Sequence, residues 1–246
     1  MPDASMERAV DLNADVGEGY GRWTLGDDDA LMRVITSANI ACGFHAGDPS
    51  IIRATCRSAV AHGVTIGAQV GYPDLVGFGR RFIDMEFGAL VDALLYQISA
   101  LEGLARVEGS NVRFVKPHGA LYNAIVHHES QANAVVEAMI QHGGALALVG
   151  LPGSTVETVA RRRGIRFIGE GFADRRYTPD GRLVPRSEAD ALITDDEAAI
   201  EQAVRLAGRG VATICVHSDT PGASRMARSI RDALVAAGFT LAPVGS

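Results

Sequence analysis

The sequence has almost no lysine. Of its 23 Lys+Arg residues a single one, Lys116, is lysine, and every other positive side chain is arginine. Lys116 stands in Phe114-Val115-Lys116-Pro117-His118-Gly119, at the end of an apolar run. Arginine is a rigid, permanently charged fork; lysine is a compact point charge whose proton affinity burial can tune. A surface gains nothing from one lysine among arginines. Lys116, two residues before a histidine and beside a turn-forming Pro and Gly, therefore reads as chemistry rather than as a chance survivor of arginine-biased usage.

Other absences narrow the function further. Cys42, Cys56 and Cys215 form an odd set with no CxxC pair, as expected in a reducing compartment. The net charge is −6 and no Lys/Arg-rich stripe occurs, which excludes a nucleic-acid groove. The one basic run, Arg161-Arg162-Arg163, precedes Gly164 and offsets a helix C-terminal dipole. Residues 1–10 lack an apolar signal core, and wholly apolar stretches fall far short of a membrane span, so a cytoplasmic location is expected. GxxxxGK[ST] is absent, and Gly17-Glu18-Gly19-Tyr20-Gly21 does not form GxGxxG, so a standard P-loop is excluded. Neither a Pro/Ser linker nor an internal repeat divides the chain. It reads as one domain over 1–246, with 1–8 a flexible N-terminus.

What is present is alternation. At 246 residues and 47% hydrophobic, the chain can bury one large core. Strand-like runs fall at 9–12, 38–41, 64–68, 112–115, 145–149, 165–168, 191–193 and 212–216. Helical patterns fall at 27–35, 50–62, 86–108, 130–141, 155–163, 195–207 and 223–237, several ending at Gly. Strand and helix alternating seven or eight times predict parallel strands covered by helices. The fold class is α/β: a single closed or nearly closed (β/α) barrel of seven or eight strands, with an open doubly wound sheet as the alternative.

Barrel active sites lie at the C-terminal strand ends, and polar residues collect there. The first strand runs into Asn13 and Asp15, the second into Cys42 and His45, the third into Gln69 and the fourth into Lys116 and His118. Strand six ends in Glu170 and the last in His217-Ser218-Asp219. His62 and His142 precede Gly at helix ends and read as structural; His127 and His128 read as solvated. The candidate catalytic set is Asp15, His45, Lys116, His118, Glu170, His217 and Asp219, although Glu170 and Asp219 serve equally well as helix caps. Asp15 with His45 and His118 has the donor chemistry of a Zn or Mn site, without a close HxxxH or HExxH pair. Asn13, Gln69, Arg80, Arg81, Arg175 and Arg176 are candidate substrate-binding residues, the guanidinium forks suiting a carboxylate or phosphate. Cys42 reads as a buried, inert thiol in preference to a nucleophile.

These residues sit in long ordered motifs: Asp11-Leu12-Asn13-Ala14-Asp15-Val16-Gly17-Glu18, Ala41-Cys42-Gly43-Phe44-His45-Ala46-Gly47-Asp48-Pro49, Gly77-Phe78-Gly79-Arg80-Arg81, and Lys116-Pro117-His118-Gly119-Ala120-Leu121-Tyr122. Phe172-Ala173-Asp174-Arg175-Arg176-Tyr177 and Cys215-Val216-His217-Ser218-Asp219-Thr220-Pro221-Gly222 complete them. Over residues 9–240 the chain resembles the LamB/YcsF family. That resemblance implies a distorted TIM-like barrel related to the glycoside hydrolase/deacetylase superfamily. It also implies ATP-dependent hydrolytic opening of 5-oxo-L-proline to L-glutamate together with B and C subunits; because the chain lacks a P-loop, ATP and Mg2+ are expected chiefly at those partners. Ala14 replaces the family's frequent Cys, Gln69 a frequent His and Ser218 a usual Gly, and the 208–212 connection is short. The alternatives are a metal-dependent amide or sugar deacetylase and a non-catalytic binding subunit.

Overall fold

The computed structural model describes residues 8–186, 188–217 and 222–244. Residues 1–7, and with them nearly all of the expected flexible N-terminus, lie outside it. Among the described residues the strands are β1 (Ala9–Val16), β2 (Ser37–Ala41), β3 (Thr65–Val70), β4 (Val112–Pro117), β5 (Ala147–Gly150), β6 (Phe167–Phe172), β7 (Thr213–Val216) and β8 (Thr240–Leu241). The helices are α1 (Asp28–Met32), α2 (Pro49–His62), α3 (Phe87–Val107), α4 (Gly119–Ala124), α5 (Glu129–His142), α6 (Thr155–Arg162), α7 (Asp196–Gly208) and α8 (Ala223–Ala236). All strand pairings are parallel. The ring β1 to β7 closes through β1 pairing with both β2 and β7, and β8 adds to the N-terminal half of β1.

Side-chain alternation along β1 shows how the sequence builds this barrel. Val10, Leu12, Ala14 and Val16 face outward and join the large core between strands and helices. Asp11, Asn13 and Asp15 face the lumen and are buried. The lumen of a (β/α) barrel is ordinarily filled by branched apolar residues; here much of it is a hydrogen-bonded polar column. At the bottom Asp11 accepts from the hydroxyls of Thr36, Ser37 at 2.7 Å, and Thr213. Phe114, Ala147, Val149 and Ile168 fill the opposite side with a small apolar cluster.

The helices start where the sequence offers caps. Asp48 accepts from the Ser50 and Ile51 amides ahead of Pro49, and Ser154 and Asp195 cap α6 and α7. The longest helix, α3, is apolar and long enough by composition to cross a bilayer, but Leu90, Leu94, Ile98 and Leu101 are buried in the barrel core.

Two expectations change. Residues 191–193 are not a barrel strand: the run is three residues long and makes only an isolated bridge, Leu192 to Arg175. It belongs to a long connection, 173–195, between β6 and α7 that overhangs the mouth. The chain also forms α4 directly after the β4 motif and the two-residue β8, both too short to leave a periodic signal.

Two expected outcomes follow from the lumen. A Cβ at Gly67 would lie 2.1 Å from the Phe114 ring, so Gly67→Ala should destabilise by about 1–3 kcal/mol, with Phe114→Leu beside it recovering part, as urea unfolding will show. Burial raises Asp11 to about 6 despite its hydroxyl donors. Its folded value thus exceeds the ordinary 3.8, so its stabilisation is fully present below about pH 4 and is lost as pH rises through about 6. Asp11→Asn should flatten that slope in unfolding measured against pH.

Candidate active site

Lys116 leaves β4 at the centre of the barrel, buried. Its ammonium lies 3.0 Å from Asp15 Oδ1, 2.9 Å from Glu170 Oε1, 3.3 Å from Asn13 Oδ1 and 2.9 Å from Cys215 Sγ. Burial alone would lower the lysine's pKa, but the facing Asp15 and Glu170 carboxylates hold it well above its ordinary value. Burial likewise works to raise Asp15, and Lys116 overrides it, keeping the carboxylate ionised well below the usual range. Cys215 is pushed well up by burial, so a neutral thiol faces the ammonium. Asn13 ties the group together: its amide donates to Glu170 at 3.1 Å and Thr213 at 2.6 Å, and its oxygen accepts from Asn39 at 2.7 Å. Asn13 is a buried strut beneath the cavity and does not line it.

A second cluster flanks this one. The Gln69 carboxamide sits between Glu18, His45 and His118: its nitrogen donates to Glu18 Oε1 at 2.9 Å and His118 Nδ1 at 3.0 Å, and its oxygen faces His45 Nε2 at 3.1 Å. The two imidazoles stack at 4.0 Å between centroids. Burial lowers His45 to about 4 and His118 well below its ordinary value, so both rings are neutral. Glu18, His45 and His118 converge with metal-ligand chemistry. This corrects the carboxylate of the expected set: Asp15 is engaged by Lys116 and Asn39, and Glu18 stands beside the histidines. With Gln69 in place, the Glu18 oxygen and the His118 nitrogen are already hydrogen-bonded, so a cation fits the trio only if that amide swings away.

The mouth is a cavity of about 610 Å³ lined by Asp15, Lys116, His118, Tyr122, Phe172 and His217, with Arg80, Arg175, Arg182 and Arg186 around them. This is the size of a small-molecule site. Arg175 is 4% exposed; its guanidinium donates to the Val184 carbonyl at 2.6 Å, and its Nε finds no partner among the described residues. Two of the predicted arginines lie elsewhere. Arg81 turns back onto Asp74, with Nε at 2.9 Å, and Arg176 is exposed; neither lines the cavity. His45 lies behind His118, while His127 is exposed, as expected, and reaches the rim of the cavity. His62 and His142 close α2 and α5 as expected. Buried Cys42 donates to the Ile40 carbonyl and its thiol is pushed up by burial, as an inert packing residue should be. Asp219 lies outside the described residues.

Sequence reasoning missed Asp174. Its carboxylate receives His217 Nδ1 at 2.9 Å and the His217 backbone amide at 3.1 Å. Burial pushes Asp174 up, but His217 more than compensates and the carboxyl stays below its usual range. The signal was available: Asp174 stands two residues after the end of β6, a strand-end position like the others.

Gln69→Leu should strip partners from three buried groups at once, each costing about 1–3 kcal/mol, and lower the melting temperature by several degrees in a chain of this size. Calorimetry checks this; an unchanged transition would mean the cluster holds nothing together.

Comparison with known proteins places the chain. It is 54% identical over 245 residues to the 5-oxoprolinase A subunit of Nocardia farcinica, covering 94% of this chain and 98% of that one. Among solved structures it is similar to the lactam utilization protein of Thermus thermophilus, with a TM-score of 0.90 and 40% identity over 95% of this chain and 99% of that one. The catalytic domain of a peptidoglycan N-acetylglucosamine deacetylase from Eubacterium rectale shares the fold alone, with a TM-score of 0.56 and 11% identity over 98% of this chain and 90% of that one. The LamB/YcsF family model matches residues 10–246, and the chain belongs to the LamB/YcsF family.

Proposed function

We propose that this chain is the A subunit of a multi-subunit 5-oxoprolinase, which opens the ring of 5-oxo-L-proline to L-glutamate with ATP as co-substrate. The observation that carries the reading is a protonated, buried Lys116 at the floor of a cavity rimmed by arginines, joined to near-full-length likeness to proteins named for that activity. The deacetylase alternative rests on a shared fold alone. A cytoplasmic location fits three free, buried thiols.

A lactam is a poor electrophile. Transfer of the ATP γ-phosphoryl group to the lactam oxygen makes the ring carbon attackable by water. With no P-loop in the sequence, that transfer and its Mg2+ are assigned to the B and C subunits, and the activated lactam comes to this cavity. Arg175, with Arg80 and Arg186 beside it, binds the anionic groups. Water adds to the carbon, the ring C–N bond breaks, and the nitrogen leaves with a proton as the amino group of the opened chain. Hydrolysis of the resulting acyl phosphate gives glutamate and phosphate. Lys116 faces the charge that develops on the oxygens, and a preorganised cation in a water-poor site is worth more there than in solvent.

The purified chain alone should not turn over 5-oxoproline, while adding B and C subunits should yield glutamate and ADP together. Robust ATP-coupled turnover by the isolated chain would overturn this division of labour. Within the complex, Lys116→Arg should lose about 10²–10³-fold in kcat, since a planar fork cannot replace a point charge in this pocket. Lys116→Met should be equally inactive and also melt lower, because it leaves Asp15 and Glu170 buried without their cation. An active Arg variant would refute the tight-pocket reading.

A further inference from the structure

We infer that His217, held by Asp174, is the proton carrier of this site, and that His45 and His118 are not. The inference deepens the ring-opening reading and rests on it for the reaction, but the ring tautomers it requires stand independently. It comes from following each imidazole nitrogen. His118 Nε2 lies 2.9 Å from the Phe78 carbonyl, which can only accept, so that nitrogen carries the hydrogen. His118 Nδ1 must then accept from the Gln69 amide. Both nitrogens are committed, and protonating the ring would set two donors against each other.

His45 fares no better. The Gln69 nitrogen is spent on Glu18 and His118, so its oxygen faces His45 Nε2 and fixes the hydrogen there. His45 Nδ1 is bare among the described residues, yet it is sealed in. It abuts Gly71, where an added Cβ would come within 2.8 Å, and the ring is wholly buried behind His118.

His217 differs on both counts. Asp174 takes the hydrogen of Nδ1 at 2.9 Å, and the same carboxylate holds the residue's backbone amide. The basic nitrogen is therefore Nε2. The ring stacks on Phe172 with centroids 5.4 Å apart and lines the cavity beside Lys116 and Asp15. Charged and titratable groups line this cavity from several elements: Asp15 from β1, Lys116 and His118 from β4 and its end, Arg80 from the β3–α3 connection, and Arg175, Arg182 and Arg186 from the 173–195 connection, while Glu170 and Cys215 contact Lys116, and Asp174 contacts His217, without lining it. In the step itself, Nε2 takes a proton from water as the oxygen bonds to the activated carbon. It returns that proton to the ring nitrogen as the C–N bond breaks, so the imidazole ends neutral. Asp174 touches no reacting atom and is a positioning residue.

The tautomers are read directly by two-bond 1H–15N correlation on the full chain labelled with 15N-histidine. His217 should carry its hydrogen on Nδ1 and His118 on Nε2; His217 protonated on Nε2 overturns the assignment. In the complex with B and C subunits, His217→Gln should lower kcat about 10²–10⁴-fold. Asp174→Asn should lower kcat with little change in KM, because the carboxylate that receives the Nδ1 hydrogen is gone, and Asp174→Glu should restore part of kcat. A merely structural Asp174 would change kcat and KM alike, and either that result or an active His217→Gln variant refutes the proposal. If the wild-type complex makes no glutamate from 5-oxoproline, the functional reading falls while the tautomers still judge the histidine assignment.

Discussion

Everything at the centre of this barrel depends on one buried ammonium and the two carboxylates around it. Each Lys116–carboxylate contact, at 3.0 Å to Asp15 and 2.9 Å to Glu170, contributes attraction on the order of 5 kcal/mol at an effective dielectric near 20. Stripping water from each ion costs several kcal/mol. The two nearly offset, so the triad is weak evidence for stability. Its consequence is positional. An ammonium with a partner on either side cannot drift, and removing any member strands a charge. Asn13 and Asn39 serve the same group, since Asn13 donates to Glu170 and Asn39 to Asp15.

The polar lumen forces the apolar core elsewhere. In β1 the outward residues Val10, Leu12, Ala14 and Val16 pack with the helices, while Asp11, Asn13 and Asp15 point inward. The stabilising burial of apolar surface thus lies in the outer layer, between barrel and helices. The lumen is left free to carry hydrogen bonds that fix side-chain directions. Stability and chemistry occupy different shells of the same strands, and a strand of alternating sign serves both.

That alternation is also why so much was legible. Lys116, His118, His45, His217, Asp15 and Glu170 all follow apolar runs, and strand ends in a parallel barrel converge because the topology makes them. What stayed hidden depends on directions that no local pattern encodes. Arg80 and Arg81, like Arg175 and Arg176, are adjacent and chemically identical; one of each pair lines the cavity and the other does not. The split follows from Asp74 capturing Arg81 and from the fold of the 173–195 connection. Glu18 was hidden for a related reason: its importance comes from Gln69, fifty-one residues away in sequence. The 191–193 run looked like a strand because its composition suits one, and failed because no neighbouring strand was available to pair with it.

Charge is distributed against the grain of the composition. The chain carries −6 overall, yet among the described residues the cavity gathers Lys116 and four arginines, and the one acid lining it, Asp15, is already neutralised by the lysine. Such local reversal draws anions to the mouth while leaving the remaining surface acidic. Burial keeps the neighbouring imidazoles of His45 and His118 from charging, and Arg80 acts on both in the same direction. His217 differs in its partner, because Asp174 receives the hydrogen of its Nδ1. A single acid on an overhanging loop thus separates the histidine able to exchange a proton from the two that hold the cavity wall.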